Sequence, residues 1–299
     1  MPSKVLSISY RNCISTIPLL SLHRMTRSVS TASPPRRKAI PAATRAPRPV
    51  AVRQVPAVTR AVAILRLLGR SSEPLGVNAI ARTLDLFPST CLHILRVLVA
   101  EELVACDQQS KRYSLDEGIL SLARSILRRN SFAALVQAGL NQLSQRYGVA
   151  AVGVKVMGLD HMVVVAIAKS EQPLRIHVEI GSRFPALISA TGRCLAAFGG
   201  FSRNEIENRF RMLRWDRPLS FRAWQAEVEA TRRRGYGVDE GSYIDGVTVL
   251  AAPITSRDGM SHAVIAVGVS EQIRRVGIAA LGRDLKDLAA LVSSQLGSA

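Results

Sequence analysis

The sequence of 299 residues has only four cysteines, at positions 13, 91, 106 and 194, and no two of them form a Cys-x-x-Cys pair. This spacing argues against a disulfide framework and against a zinc site, and it fits a reducing compartment. Long apolar runs are also missing, because the best candidate, Ala150 to Ala168, is interrupted by charged residues. We therefore exclude a membrane protein and a disulfide-stapled secreted domain, and we expect a cytoplasmic protein.

Acidic residues are absent from the first 53 residues, which hold ten of the 40 basic side chains. We interpret residues 1–53 as a disordered basic tail, most clearly from Thr26 to Arg53, where Pro, Ala, Ser, Thr and Arg dominate. An Arg- and Ser-rich start also resembles an organellar transit peptide. A further alternative is an over-extended start, with Met25 or a later codon as the true beginning. The whole chain is 47% hydrophobic, which is enough to bury a core.

Catalytic and metal-binding patterns are lacking as well. The five histidines fall at no metal-ligand spacing, and neither a Gly-x-Ser-x-Gly motif nor a phosphate-cradling glycine loop occurs. No nucleophile, base and orienting residue can be nominated together. We therefore expect no enzyme activity, no metal and no cofactor.

Residues 54–115 contain three short helical patterns followed by two short strands. Apolar residues recur on one helical face over 58–68 and again over 77–84, and a third helix begins at Pro88. The two strands flank the charged turn Asp107–Lys111 and predict a hairpin. Three helices closed by a hairpin describe a winged helix-turn-helix, which is a DNA-binding shape.

Helical periodicity places Ser89, Leu92, His93 and Arg96 together on the outward face of the third helix, with Thr90 at its edge. His93 and Arg96 are our candidates for base contacts, because Arg to guanine is the commonest specific pairing in the major groove. Ser89 and Thr90 suit hydroxyl contacts to phosphates or bases. Simple helix-start chemistry for Ser89 and simple solvation for Arg96 are the alternatives. Leu92 either meets a thymine methyl group or packs against the partner helix or the wing.

The predicted DNA-binding unit has no excess of basic side chains. Residues 54–122 contain seven basic and seven acidic residues, although phosphate contacts supply most non-specific affinity for DNA. Lys111 and Arg112 of the wing fall on a surface expected to face DNA, and the basic tail is able to lie along the phosphates. The neutral head leaves a second hypothesis open, namely a protein that senses an effector and acts through protein contacts.

From residue 116 to 147 the pattern predicts two connecting helices, and residues 148–299 then alternate between strands and helices. This order indicates an α+β domain with helices packed on an antiparallel sheet. The expected strands are Val149–Val156, Met162–Ala168, Arg175–Glu179, Thr248–Thr255 and His262–Val269, the last two forming a hairpin around Asp258-Gly259. The expected helices are Thr191–Phe198, Arg203–Leu213, Arg222–Gly235 and about Val276 to Leu296.

Two positions in the second domain suggest contacts with a ligand. Thr191-Gly192-Arg193 precedes a predicted short helix, and free N–H groups beside one cation suit a carboxylate. The alternative is a glycine required for close packing, with Arg193 pointing to solvent. Asp239 either accepts a hydrogen bond from an effector hydroxyl or caps a turn.

Several motifs together resemble the IclR family of bacterial transcriptional regulators. They lie in the family's order and spacing over about residues 55–297: Val58–Leu115, Val178–Pro185, Ala190–Ala196, Gly235–Asp239, Gly246-Val247 and Ala251–Ile254. The resemblance implies an N-terminal winged helix-turn-helix, a helical linker used in dimerisation and a GAF-like effector-binding domain. It also implies a homodimer or homotetramer, a palindromic operator on double-stranded DNA and a small organic acid effector. It favours a repressor over an activator.

The chain departs from the family pattern at both predicted sites. Pro88 and His93 stand where the family usually has Lys and Arg, which puts the operator sequence in doubt. Val249, Ala266 and Gly268 stand where relatives often have Cys or Ser, so the effector is expected to have more apolar surface than the smallest keto acids. The effector site that the resemblance implies comprises Ala190, Thr191, Gly192, Arg193, Asp239, Val247, Val249, Ala266 and Gly268.

Overall fold

A computed structural model describes residues 5–7, 55–129, 131–172, 175–256 and 259–297 of the chain. The described residues form two compact units: 55–129 are the N-terminal unit, and 131–297 together with 5–7 are the C-terminal unit. The predicted basic tail lies outside the described residues, except for strand β1 (Val5–Ser7), which belongs to the C-terminal unit. The two units are described separately below.

The N-terminal unit is a winged helix-turn-helix followed by the first linker helix. Its three strands form a small antiparallel sheet in the order β2-β4-β3. The predicted three helices and hairpin are confirmed, whereas β2 was not predicted because two residues are too few to show a periodicity. The elements are α1 (Pro56–Leu68), β2 (Leu75–Gly76), α2 (Val77–Leu84), α3 (Pro88–Ala100), β3 (Val104–Cys106), β4 (Arg112–Leu115) and α4 (Gly118–Arg129).

The turn between α2 and α3 positions the third helix on the hydrophobic core of the N-terminal unit. Asp85 ends α2 in the left-handed conformation with φ +52°, and Leu86 then packs against the core. Phe87 caps α3 in an extended conformation, and Pro88 occupies the first helical position, as its fixed φ favours. The core itself is built from all three helices and the wing: Ile64, Leu68, Ile80, Ala81, Cys91, Leu95, Leu98, Val104 and Tyr113.

The C-terminal unit is the α+β domain that the sequence predicts, with a GAF-like fold. Six antiparallel strands form one sheet in the order β8-β6-β5-β11-β10-β9, and β7 pairs in parallel with β1. The elements are α5 (Ser131–Tyr147), β5 (Ala150–Met157), β6 (His161–Ala168), β7 (Arg175–His177), β8 (Arg183–Pro185), α6 (Ser189–Phe198), α7 (Arg203–Phe210), α8 (Phe221–Arg234), β9 (Gly237–Glu240), β10 (Val247–Ser256), β11 (Gly259–Val269), α9 (Ser270–Val276) and α10 (Ile278–Gly297).

The two faces of this sheet bury separate cores. Helices α5 and α10 cover one face, and the cluster there includes Leu140, Ala266 and Leu285. Helix α6 covers the other face, with α8 packed on α6, and this cluster includes Leu187 and Trp224. Because successive side chains of a strand point to opposite faces, each strand residue belongs to one core or the other.

Five elements of the C-terminal unit differ from the sequence prediction. The short strands β1, β8 and β9 were not predicted, because three or four residues give no clear alternation. The segment before the last helix forms a separate helix, α9, which ends at Gly277 with φ +92° before α10 begins. Helix α7 ends at Phe210, three residues earlier than expected.

Within the described part of the chain, no single helix is both long and apolar enough to span a membrane. Helices α2 and α3 pass that test only as a pair, and they are bent by 113° relative to each other.

Candidate functional site

The outward face of α3 carries the polar side chains that the sequence places there. Ser89, His93 and Arg96 are exposed, while Thr90 and Leu92 are half-buried. The first turn of the helix contains no acidic residue. The N-terminal residues of a recognition helix commonly contact base edges. The N-terminal end of α3, where Ser89 lies, is therefore suited to approach a polyanion such as DNA.

Phe87 is an exposed residue of this region that the sequence reasoning missed. Its side chain is 79% exposed, although it directly precedes the first residue of α3. The sequence signal that could have identified it is an aromatic residue in a short turn, directly before the proline that begins the helix.

The wing between β3 and β4 has a well-defined turn that presents two cations. Asp107 accepts hydrogen bonds from the backbone N–H and the hydroxyl of Ser110, both at 2.6 Å. These bonds hold the pKa of the Asp107 carboxyl below its usual value. Lys111 turns the chain with φ +53° and is exposed. Arg112 is also exposed, and its Nη1 donates to the Pro74 carbonyl at 3.3 Å, which leaves most of its other N–H groups available.

An apolar cavity lies between the C-terminal sheet and the start of α6. Its volume is about 60 Å³, and it is partly open to solvent. No side chain with a formal charge is among the described residues that line it. They are Val152, Val154, Met162, Val164, Val178, Phe184, Ile188, Ser189, Thr191, Tyr243, Ile244, Val247, Val249, Ile265 and Val267.

The start of α6 supplies the polar groups of this cavity. Ser189, the first residue of the helix, is only 4% exposed, and its hydroxyl has no hydrogen-bond partner among the residues that the structure describes. It adopts the left-handed conformation with φ +54°, which is uncommon for residues other than glycine and tends to occur at functional sites. The first N–H groups of any helix lack partners within the helix. One unused hydroxyl and a helix N-terminus therefore meet at the cavity wall.

Thr191, Gly192 and Arg193 lie inside α6 rather than before it, and Arg193 does not serve as a free cation. Its side chain is 1% exposed, its Nε donates to Glu227, and its Nη2 lies 3.6 Å from Asp239 Oδ1. The solvent-exposed alternative for Arg193 is therefore wrong, whereas the anion site stays a prediction, since Nη1 is buried and has no hydrogen-bond partner among the described residues. The arginine is sequestered by two carboxylates.

Close packing explains Gly192. Because the left-handed Ser189 turns the chain sharply, the carbonyl of Leu187 lies against the second turn of α6. A Cβ on Gly192 would overlap that backbone carbonyl. Of the two readings of this glycine, the contacts support the packing role.

Asp239 caps a turn, which is the second of its two predicted roles. Its carboxylate accepts from the backbone N–H of Ser242 at 2.9 Å and from that of Tyr243 at 3.2 Å, and it is 1% exposed. Because Tyr243 and Ile244 line the cavity, Asp239 helps to hold one wall of the cavity in place.

The predicted effector residues divide between the two faces of the sheet. Val247, Val249 and Thr191 line the cavity, and Ala190 is buried beside it in the same core. Ala266 and Gly268 require a correction, because Ala266 belongs to the opposite core and Gly268 packs against Ile273 there. Their neighbours on β11, Ile265 and Val267, line the cavity instead. A shift of one residue reverses the face of a strand residue.

The buried thiol of Cys194 serves packing rather than chemistry. Burial raises its pKa to about 12, and its Sγ donates to the Ala251 carbonyl at 3.2 Å. Within the described ranges, no three His, Cys, Asp or Glu side chains are grouped so as to hold a metal ion.

Comparisons with known proteins match both units. Residues 57–108 match the IclR helix-turn-helix domain, and residues 125–294 match the C-terminal domain of the bacterial transcriptional regulator IclR. The glycerol operon regulatory protein of Streptomyces griseus is 32% identical over 256 residues, which cover 82% of this chain and 98% of that protein. The transcriptional repressor AllR of Escherichia coli is 23% identical over 253 residues, covering 83% and 93% of the two chains. The crystal structure of an IclR transcriptional regulator from Alicyclobacillus acidocaldarius is 27% identical, has a TM-score of 0.68 and covers 81% of this chain and 99% of its own.

Proposed function

Because the chain belongs to the IclR family of transcriptional regulators, we propose that it is a repressor whose affinity for its operator is changed by a small organic acid bound in the apolar cavity. Members of this family are DNA-binding regulators of transcription rather than enzymes. The observation that supports an effector site is the apolar cavity, which is lined by Ser189 with its unpartnered hydroxyl. Such a regulator works beside the DNA, in the cytoplasm.

The exposed face of α3 is the surface that we assign to base reading. Arg96 is exposed one helical turn after His93 and Leu92, and guanidinium groups pair with guanine in the major groove. Lys111 and Arg112 are assigned to phosphates on the wing side, where they add affinity without sequence information. The basic tail is assigned the same role.

Replacing Arg96 with alanine is expected to lower operator affinity by about tenfold, since a good base contact contributes roughly 1–3 kcal/mol. Affinity for a scrambled duplex of the same length is expected to fall much less. Arg82→Ala removes the same charge from α2 and serves as the matched control, which should leave the ratio of the two affinities unchanged. Fluorescence anisotropy with both duplexes measures the ratio. An equal loss on both duplexes in Arg96→Ala would mean that Arg96 contacts only phosphates.

The cavity indicates the chemistry of the effector. Its walls are built mainly from valine and isoleucine, which favour a molecule with an apolar body. The Ser189 hydroxyl and the N-terminus of α6 favour one acceptor group, and a carboxylate gains most from that position. Arg193 does not line the cavity, so the helix N-terminus takes the place of a cationic side chain. We propose an apolar monocarboxylate, with its carboxylate at Ser189 and its body against β10 and β11.

Val249→Phe is expected to fill this cavity and to abolish the effector's influence on operator binding, while leaving effector-free operator affinity unchanged. Val249 is half-buried in the cavity wall, so an added ring occupies the space that the effector needs. Val163→Phe is the matched control: Val163 is half-buried on β6, and it does not line the cavity. Operator titrations with and without an aromatic or branched-chain carboxylate measure the effect. Loss of the response in Val163→Phe but not in Val249→Phe would place the effector elsewhere.

A dimer is proposed from apolar side chains that the N-terminal unit leaves exposed. Val55, Val58 and Val62 recur on one face at the start of α1, and Leu120 and Leu122 are exposed on α4. Exposed apolar residues that recur on one face suit contact with a second copy. Two copies related by a two-fold axis would read a roughly palindromic operator.

A further inference from the structure

The turn before α3 presents an aromatic ring to solvent at the end of the reading helix. Phe87 has the largest exposed fraction of any large apolar side chain in the described part of the chain. A single exposed apolar residue needs no explanation by itself. Its position gives it meaning, because the residues that follow it, Pro88 and Ser89, are exposed too and begin α3.

The backbone around Phe87 holds the ring in this place. The N–H of Leu86 donates to the Ala81 carbonyl at 2.9 Å, and the Leu86 side chain packs against the core. The carbonyl of Phe87 accepts from the Cys91 N–H at 3.0 Å, which is the first hydrogen bond of α3. The backbone on both sides of Phe87 is therefore held by hydrogen bonds, and the exposed ring is anchored at the start of α3.

The ring suits one particular group on DNA. Phosphates and most base edges offer polar atoms, whereas the 5-methyl group of thymine is the apolar group of the major groove, and phenylalanine is among the side chains that contact it. The N-terminal end of a recognition helix is the part that approaches base edges. Under the proposed function, the ring therefore lies at the end of α3 that approaches the bases.

We propose that Phe87 of each protomer contacts the methyl group of a thymine in the operator and so contributes to operator specificity. This inference rests on the proposed function, since it requires a specific operator. In each half-site, the protein would then recognise one base by an apolar contact alone, without a hydrogen bond.

The test replaces the thymines of the operator one symmetric pair at a time with uracil, which removes the methyl group and keeps base pairing. For the wild-type chain, loss of the contacted methyl group is expected to weaken binding by about fourfold in each half-site, which corresponds to roughly 0.8 kcal/mol for one buried carbon group. Replacing the symmetric pair, which removes the methyl group from both half-sites, should therefore weaken binding by about fifteenfold. In Phe87→Ala, the same replacement is expected to have no effect.

Val97→Ala provides the matched control, because Val97 is exposed near the other end of α3; it should show the full uracil effect. If the effect persists in Phe87→Ala, or disappears only in Leu92→Ala, Phe87 does not read the methyl group and the inference is overturned. If Phe87→Ala changes the sedimentation coefficient of the chain, the ring covers a partner protomer, which also overturns it. If the wild-type chain binds no operator specifically, the proposed function fails first, and that result is distinct from the others.

Discussion

Arg193→Met is expected to destabilise the C-terminal unit by about 3 kcal/mol, because it leaves Asp239 charged, buried and without its cation. Removing one partner of a buried ion pair commonly costs about 3–5 kcal/mol. We expect the lower end of this range because Asp239 keeps its two backbone hydrogen bonds. Glu227, the other partner of Arg193, is 43% exposed and regains water at little cost.

Both tryptophans of the chain, Trp215 and Trp224, lie in the C-terminal unit, so denaturation followed by their fluorescence reports on this unit. The double variant Arg193→Met, Asp239→Asn removes both buried charges and should regain part of the lost stability. If Arg193→Met instead keeps full stability and loses only its response to a carboxylate, the arginine is an effector contact and the structural role assigned to it is wrong.

Gly192→Ala is expected to have a similarly large effect, a loss of about 3 kcal/mol. Overpacking a well-filled interior commonly costs about 1–3 kcal/mol, and here the obstacle is the backbone carbonyl of Leu187 rather than a flexible side chain. For a domain of this size, the melting temperature should fall by roughly 6–12 °C, at about 2–4 °C for each kcal/mol.

Gly76→Ala is the control for this substitution. Gly76 has an ordinary extended conformation with φ −78°, and a Cβ there would meet nothing within 4 Å. Its melting curve should lie close to that of the wild type, because the added Cβ clashes with no other atom. Equal and small shifts in both variants would show that α6 tolerates a side chain at position 192.

Local patterns in the sequence predict most of the fold, because long helices and the strands of the large sheet show clear periodicity. The elements that were missed, β1, β2, β8, β9 and α9, have only two to seven residues, and their positions depend on tertiary pairing. The outward face of α3 was predicted correctly for a similar reason, since helical spacing alone separates Ser89, His93 and Arg96 from the buried stripe.

The cavity was predicted less well, because its walls depend on which face of the sheet each residue occupies. Ala266 and Gly268 were chosen by alignment with the family motif, whereas Ile265 and Val267 face the cavity. Arg193 was misread for another reason: its partners, Glu227 and Asp239, are distant in the sequence. Sequence spacing carries no information about such contacts.

The most direct test of the account is a nuclease footprint of the full chain on DNA flanking its own gene, at about 150 mM salt, where non-specific phosphate binding is weak. A regulator with two winged helices predicts a protected site with two-fold symmetry, whose protection changes when a carboxylate effector is added. A distant operator is recovered by genome-wide selection of bound fragments. If neither experiment reveals a preferred sequence, the N-terminal unit does not read DNA, and the central claim is contradicted.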